Sequence, residues 1–252
     1  MPSSLPKENI YGHTKKLRYI LTKIDDKLAK FSSGKIALLD FGCGNGSAVS
    51  QFLMRDEVDY IGVDIHQASL DYACANFSGT KVSFMDHIPV GSRFDMIVYA
   101  DIIEHLDDPV AILREHYSLL NDDGIIVGAV PNGYGPFENE KRLNRWFGFS
   151  LFLHLIIRVK QRLFGKRRHS VKQIPYNNDS GHVQFFTRRS LIKTLNDAGF
   201  KIQDFSHGAF LGAPLSEKFI LRGEKIAKLN AWIADYLPFW AVSTWYFTAV
   251  KK

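Results

Sequence analysis

The sequence predicts an α/β fold built on a parallel sheet. Three observations carry this. Apolar runs alternate with amphipathic helical stretches over residues 35–130, the rhythm of βαβ units. FDMIVYA (94–100) is nearly all apolar, as a strand covered on both faces must be. LLDFGCGNG (38–46) runs from an apolar strand straight into a glycine turn ahead of a helical stretch.

The elements follow in order. Residues 14–31 place Leu17, Ile20, Leu21, Ile24, Leu28 and Phe31 on one helical face, and Ser32-Ser33-Gly34 ends that helix. IALLDFG (36–42) reads as a buried strand entering the turn, and SAVSQFLMR (47–55) as helix. YIGVDI (60–65) is a second strand, SLDYACANF (69–77) a second helix, KVSFMD (81–86) a short strand and FDMIVYA a fourth. Asp107-Asp108-Pro109 opens a helix with an acidic cap and a first-turn proline. It runs to Leu120, where Asn121-Asp122-Asp123-Gly124 stops it, and IIVGAV (125–130) is a fifth strand.

After Pro131 the rhythm breaks into an insertion, 133–182, rich in Gly, aromatic and basic residues. It then resumes. Thr187 caps a helix over 188–197, which Gly199 ends, and FKIQDF (200–205) is strand-like. Residues 207–239 are irregular and partly helical, and VSTWYFTAV (242–250) is a last strand. Ligands on such sheets bind beyond the C-terminal strand ends near the switch point, so functional residues are expected just past each strand.

Composition bounds the function. The 252 residues, 46% hydrophobic and 23% charged, suit a folded domain with an ample core and exclude wholesale disorder. Two cysteines, Cys43 and Cys74, supply neither a disulfide framework nor a Cys-rich zinc site, which points to a reducing compartment. MPSSLPKENIYGHTKK has no apolar signal region, and no run reaches the ~20 apolar residues that span a bilayer. The expected location is cytoplasmic.

The net charge of +6 is not spread evenly. Residues 141–172 hold ten Lys and Arg and no Asp or Glu, so the remainder carries 22 positive and 26 negative side chains. That segregation points to a localised anionic partner. WFGFSLFLHLIIRVKQRLF (146–164) keeps polar or small residues on one narrow helical stripe, with Lys166-Arg167-Arg168 just beyond. Three readings follow. The first is an in-plane helix on an anionic membrane, peripheral on the inner face. The second is a lid over the acceptor, and the third an RNA contact. Nucleic acid ranks last, because the basic residues flank a continuous apolar run rather than separated stacking aromatics.

The chemistry concentrates at strand ends. Asp40 precedes Gly42, Gly44 and Gly46, a loop whose backbone can approach a ligand closely. A dinucleotide fingerprint needs glycine at position 47, which is Ser47, and Asp40 would repel a pyrophosphate. A cationic or amino group suits Asp40 better. Asp64 closes the second strand and either accepts from vicinal ribose hydroxyls or caps the next helix. Asp86 closes the third and either accepts from an adenine amino group or is a solvated loop carboxylate.

Together LLDFGCGNG, VDI (63–65), MDH (85–87), FDMIVYADIIEHLDDP (94–109) and GIIVGAVPN (124–132) resemble the class I S-adenosylmethionine-dependent methyltransferases. GHVQFFTRRSLIKTLNDAGF (181–200) looks like that family's return to the sheet. The branch is similar to the ubiquinone-biosynthesis O-methyltransferases. The resemblance implies a doubly wound, Rossmann-like sheet of seven strands whose last strand is antiparallel. It implies a single domain with an N-terminal helical lid (1–31), a cofactor core (35–132), the insertion (133–182) and a sheet completion (183–252). S-adenosylmethionine would be the cofactor and S-adenosylhomocysteine the product. Asp40, Phe41, Gly42, Gly44 and Gly46 would flank the methionine end, and Asp64 with Ile65 the ribose. Asp86 with His87 would flank the adenine, while Ala100 and Asp101 would line the side near the methyl.

Transfer from a sulfonium needs in-line positioning and, at a hydroxyl, removal of a proton. His105 in ADIIEHL is the expected base or acceptor anchor, against a purely structural histidine, and Glu104 would orient it or bind acceptor. His13 and His182 read as surface or lid histidines. Ala100-Asp101-Ile102-Ile103 lacks the Asn/Asp-Pro-Pro-aromatic motif of amino-directed nucleic-acid enzymes. Neither cysteine suits cytosine C5 chemistry, and no run of residues has metal-ligand spacing, so no metal is expected. The acceptor expected is small or lipid-linked, methylated at oxygen. The competing classes are a nicotinamide-dependent oxidoreductase and a non-catalytic membrane- or RNA-binding protein that keeps the fold.

Overall fold

The computed structural model describes residues 5–30, 34–50, 56–146, 175, 181–212, 216 and 223–252. Seven strands are present there: β1 (Ile36–Phe41), β2 (Val58–Val63), β3 (Val82–Met85), β4 (Phe94–Ala100), β5 (Leu120–Pro131), β6 (Phe200–His207) and β7 (Thr244–Lys251). The helices are α1 (His13–Leu28), α2 (Gln67–Phe77), α3 (Pro109–Leu119), α4 (Pro136–Trp146), α5 (Arg188–Asp197) and α6 (Glu224–Ile233).

The strands form one sheet in the order β3-β2-β1-β4-β5-β7-β6. β1 to β5 pair in parallel, and β7 lies antiparallel between β5 and β6. The expected doubly wound sheet with a reversed last strand is therefore what the chain adopts. The winding reverses between β1 and β4, which opens the crevice beyond their C-terminal ends.

Alternation along the central strands builds two cores. Leu39, Ile97, Tyr99, Ile126 and Phe247 face one side, with Leu113 of α3 and Leu191 and Leu195 of α5. Leu38, Met96, Val98 and Val127 face the other, with Ile20 and Ile24 of α1 and Leu70 and Ala73 of α2. Both faces of β4 are thus covered, which is why six of its seven residues are buried. α1 is a layer of this core, and its Lys16 is the residue that reaches the strand ends.

The caps explain the helix starts. Asp108 accepts from Ala111 N–H at 3.0 Å, and Pro109 sits in the first turn of α3. Thr187 and Ser190 form a reciprocal capping box on α5. Gly199, at φ 94°, ends that segment.

Several boundaries differ from expectation. α1 stops at Leu28, and Phe31 lies outside the described residues. Of the helix expected over 47–55, residues 47–49 form a turn and 51–55 lie outside the described residues. β5 begins at Leu120 rather than after Gly124, because Leu120 pairs with Phe94 and Asn121 Nδ2 donates to Asp95 Oδ1 at 2.7 Å. Side-chain anchoring to β4 keeps a turn-like sequence in the ladder. The insertion opens with α4, where only a break in rhythm was read. The apolar run 147–164 and Lys166–Arg168 lie outside the described residues. Among the described residues no helix is long and apolar enough to cross a membrane.

Candidate active site

The glycine loop leaves β1 with Gly42, Gly44 and Gly46 all at positive φ. A Cβ on Gly42 would lie 2.6 Å from Ile102 Cγ1, so any side chain there must displace Ile102 in the loop that follows β4. A Cβ on Gly44 would meet nothing within 4 Å, which leaves that backbone facing open space. Gly42 N and Cys43 N both donate to Val63 O, at 2.8 and 3.0 Å. Gly44 N donates to Asp64 Oδ2 and His66 N to Asp64 Oδ1, each at 2.8 Å. Asp64 therefore ties the loop to the end of β2. Each carboxylate oxygen keeps a second acceptor site for a ligand hydroxyl. Ile65, next to it, is 90% exposed, an apolar surface beside Asp64.

Asp40 is 2% exposed. It pairs with Gly62 across the β1–β2 ladder, so Tyr60, two residues earlier, shares its face. Tyr60 OH donates to Asp40 Oδ2 at 2.7 Å, while Oδ1 is buried without a hydrogen-bond partner. Burial pushes the Asp40 carboxyl up to about 6, opposed by the Tyr60 hydrogen bond and the Lys16 charge and aided by Asp64. Such an orphaned acceptor fits an incoming amino or ammonium group. Nothing local in the sequence marked Tyr60; only the ladder register brings it to Asp40.

The other cofactor expectations divide. Phe41 turns its ring into the core, 5.8 Å from Tyr99 and edge-on to His116 at 4.6 Å, so only its backbone belongs to the loop. Asp86 and His87 are exposed past β3, and His87 Nδ1 lies 2.6 Å from Asp86 Oδ1. That hydrogen bond holds the Asp86 carboxyl below its usual range.

Beyond β4 lie Ala100 and Asp101, both half-buried. Asp101 is the one non-glycine residue at positive φ among the described residues, and Lys16 Nζ donates to its Oδ2. The chain then makes a short 3-10 turn, Ile103–His105. Glu104 is 1% exposed, and its backbone carbonyl accepts from Val183 N and Gln184 N, both at 2.9 Å. This clamp brings His182 against His105, with ring centroids 5.0 Å apart. His182, expected at the surface or in a lid, is largely covered and lies against His105. His105 Nδ1 lies 3.0 Å from Gly181 O. A carbonyl only accepts, so Nδ1 carries the proton and Nε2 keeps its lone pair. Glu104 Oε1 is 3.9 Å from His105 Nε2, too far for a hydrogen bond, so Gly181 and not Glu104 orients the ring. Burial first, and Asp101 next, hold the Glu104 carboxyl well above its usual range; burial pulls the His105 imidazolium down.

No run of residues has metal-ligand spacing in the sequence, yet the fold gathers three residues of ligand type. Glu104, His105 and His182 each bring one ligand atom within 4.8 Å of the other two. His182 comes from a distant segment, so sequence spacing could not reveal it. Glu138 of α4, buried and 2.9 Å from His182 Nδ1, was also missed for that reason.

A doubly wound sheet with carboxylates at three successive strand ends and a glycine loop at its switch point is the arrangement of an α/β enzyme that binds its ligand beyond the strand ends. A family model described as a methyltransferase domain matches residues 13–204. The chain belongs to this family, within the class I S-adenosylmethionine-dependent methyltransferases, and its cofactor is S-adenosylmethionine. Among known relatives, it is 31% identical over 104 residues to a ubiquinone biosynthesis O-methyltransferase of Cereibacter sphaeroides, covering 38% of this chain and 42% of that one. It is 26% identical over 188 residues to the protein of that name from Psychrobacter arcticus, covering 71% of this chain and 64% of that one. The matches thus span less than two thirds of either relative. The solved structure of PKMT2 from Rickettsia typhi shares the fold, with a TM-score of 0.58 at 15% identity, over 98% of this chain and 54% of that one.

Proposed function

We propose that this chain transfers the methyl group of S-adenosylmethionine to a hydroxyl oxygen of a small or lipid-linked acceptor. S-adenosylmethionine supplies an electrophilic methyl on a sulfonium. Asp40 Oδ1 receives the methionine amino group, and Asp64 receives the ribose hydroxyls while holding the glycine loop against β2. Ile65 covers the nucleoside, and Asp86 with His87 flanks the adenine. The unpartnered, buried Asp40 Oδ1 is the observation that carries the cofactor half of this reading.

The acceptor half rests on His105. With Nδ1 donating to Gly181 O, Nε2 is the unprotonated nitrogen, and the lowered pKa keeps the ring neutral at neutral pH, the form that takes a proton. Hydroxyl oxygen is favoured over carbon or nitrogen by that base and by the O-methyltransferase relatives. The basic segment 141–172 favours an acceptor met at an anionic membrane surface.

Calorimetry with S-adenosylhomocysteine tests the cofactor half. Parent chain should bind it and Asp64→Ala should not; the absence of heat from the parent would overturn the assignment. Transfer of labelled methyl into a lipid extract and an aqueous extract tests the acceptor half. His105→Ala should slow transfer far more than it weakens cofactor binding. Turnover should rise with pH through the lowered His105 pKa and then level. Equal turnover in variant and parent would remove His105 from the chemistry.

A further inference from the structure

The geometry points to a second copy of this chain docking on the outer face of α6, in an antiparallel pair of helices. The helix is amphipathic the wrong way round. Its buried side is made of small or polar residues: Ala227, Asn230, Ala231 and, in the 3-10 turn Ala234–Tyr236 that extends it, Ala234. Asn230 anchors that side through Nδ2, which donates to Ile10 O at 3.0 Å and Leu211 O at 2.9 Å. The large apolar side chains point outward. Ile226, Leu229, Trp232 and Tyr236 recur every three or four residues and are 40–73% exposed. The Trp232 and Tyr236 rings lie 4.7 Å apart, so their part of the stripe is continuous. Single exposed apolar side chains are ordinary, but a helix-long row of four marks a contact surface.

The charges on the helix select the occupant. Over residues 224–236, Lys225 and Lys228 balance Glu224 and Asp235. A helix lying in a membrane surface carries a basic excess on its polar face, and this one has none. A twofold axis crossing the helix near Ala231 instead matches the face to itself. Ile226 then meets the partner's Tyr236, and Leu229 meets the partner's Trp232. Such an axis also sets one flank of the helix against the same flank of its copy. Lys228 and Asp235 lie two turns apart on one flank, so Lys228 meets the partner's Asp235. Within one chain Lys228 Nζ lies 2.9 Å from Glu224 Oε1, and Lys15 Nζ donates to Asp235 Oδ1 at 2.6 Å. The contact therefore closes a row of alternating sign, Glu224 and Lys228 against the partner's Asp235 and the partner's Lys15. Along the helix no like charges come together, because Glu224 and Lys225 fall opposite the partner's Pro238 and the partner's Leu237.

The surface adjoins the wall of the candidate site. Lys15 Nζ also donates to Ala231 O at 2.7 Å and to Gly208 O at 3.0 Å, which ties α6 to the first turns of α1 and to the end of β6. The next residue, Lys16, reaches Asp101. A partner seated on α6 braces that junction from outside. One helix face per copy is a small interface, so the dimer is a reversible one, with a dissociation constant on the order of 1–100 μM. Pairing through α6 does not depend on which acceptor is methylated.

Sedimentation equilibrium of the full chain, from about 1 to 300 μM, tests the pairing. The mass should rise from one chain to two. Leu229→Glu and Trp232→Glu should each weaken association by at least ~10-fold. Their urea midpoints should match the parent, because both side chains are exposed in the single chain. Cross-linking then tests the register in a Cys74→Ser background, which removes the exposed native thiol. Positions 226 and 236 are about 15 Å apart in one chain, too far for a disulfide, and meet only across the twofold axis. Ile226→Cys combined with Tyr236→Cys should give disulfide-linked dimers on mild oxidation, and neither single variant should. A single-chain mass at every concentration, or association unchanged in both Glu variants, would overturn the pairing. Dimers cross-linked by Ile226→Cys alone would mean parallel helices and overturn the antiparallel contact. A chain that stays single but floats with phosphatidylserine vesicles, and loses that in Trp232→Glu, would give the face to lipid instead.

Discussion

Asp40 shows how one residue links stability to ligand binding. Its ordinary carboxyl value is 3.8 and burial raises it to about 6. A raised folded-state pKa means the protonated form favours folding. That contribution is complete below the ordinary value and is lost as pH rises through about 6. At neutral pH the ionised carboxylate therefore costs the ligand-free chain on the order of 3 kcal/mol. In the reading proposed above, the amino cation of the cofactor would recover that cost and so couple binding to the ionised form. Asp40→Asn keeps the shape and removes the charge. Urea titrations should show parent stability falling between about pH 4 and 7 relative to the variant. S-adenosylhomocysteine binding should tighten with pH in the parent, and stay flat and on the order of tenfold weaker in the variant. Identical pH slopes would show that Asp40 is not the titrating group. The placement of Asp40, Asp64 and the glycines at the strand ends was legible because strand, turn and carboxylate are consecutive in sequence. Tyr60, Lys16, Glu138 and His182 were not, since each arrives by ladder register, helix packing or a backbone clamp between distant segments.

At the scale of elements, the loop after β1 and the loop after β4 meet where Ile102 lies over Gly42. Gly42→Ala places a methyl against that side chain and strains a left-handed backbone, for about 1–2 kcal/mol from the backbone alone. A urea midpoint unchanged from parent would show that Ile102 simply moves aside. The capping box of α5 is a contrasting case, remote from the glycine loop. Thr187→Ala should cost about 1 kcal/mol of stability and leave S-adenosylhomocysteine binding intact, so a stability scan paired with calorimetry separates the two kinds of element. The β1-to-β4 frame, the α3 and α5 caps and the final strand were readable because period and cap chemistry are local. The start of β5 was not. Asn121-Asp122-Asp123-Gly124 has turn composition, and only pairing with Phe94 and the Asn121–Asp95 bond draw it into the sheet.

The whole molecule is electrostatically divided, and this bears on where its acceptor is met. Outside residues 141–172 the chain carries an excess of acidic side chains, which an anionic surface repels. The ten basic residues of that segment contribute on the order of 1 kcal/mol each near such a surface and act over about 8 Å at physiological salt. Attraction confined to one segment and opposed by the rest gives an orientation as well as an affinity. It should also give a steep dependence on salt. The chain should float with vesicles containing phosphatidylserine at low salt and be released as salt rises. It should ignore phosphatidylcholine vesicles throughout. Replacing Lys166, Arg167 and Arg168 by Gln should abolish most of the flotation without touching S-adenosylhomocysteine binding, because the carboxylates proposed to hold the cofactor belong to the acidic body. Flotation that persists in high salt would mean apolar insertion dominates over charge. No flotation on anionic vesicles would leave the basic segment without a membrane role and confine the acceptor to soluble hydroxyl compounds.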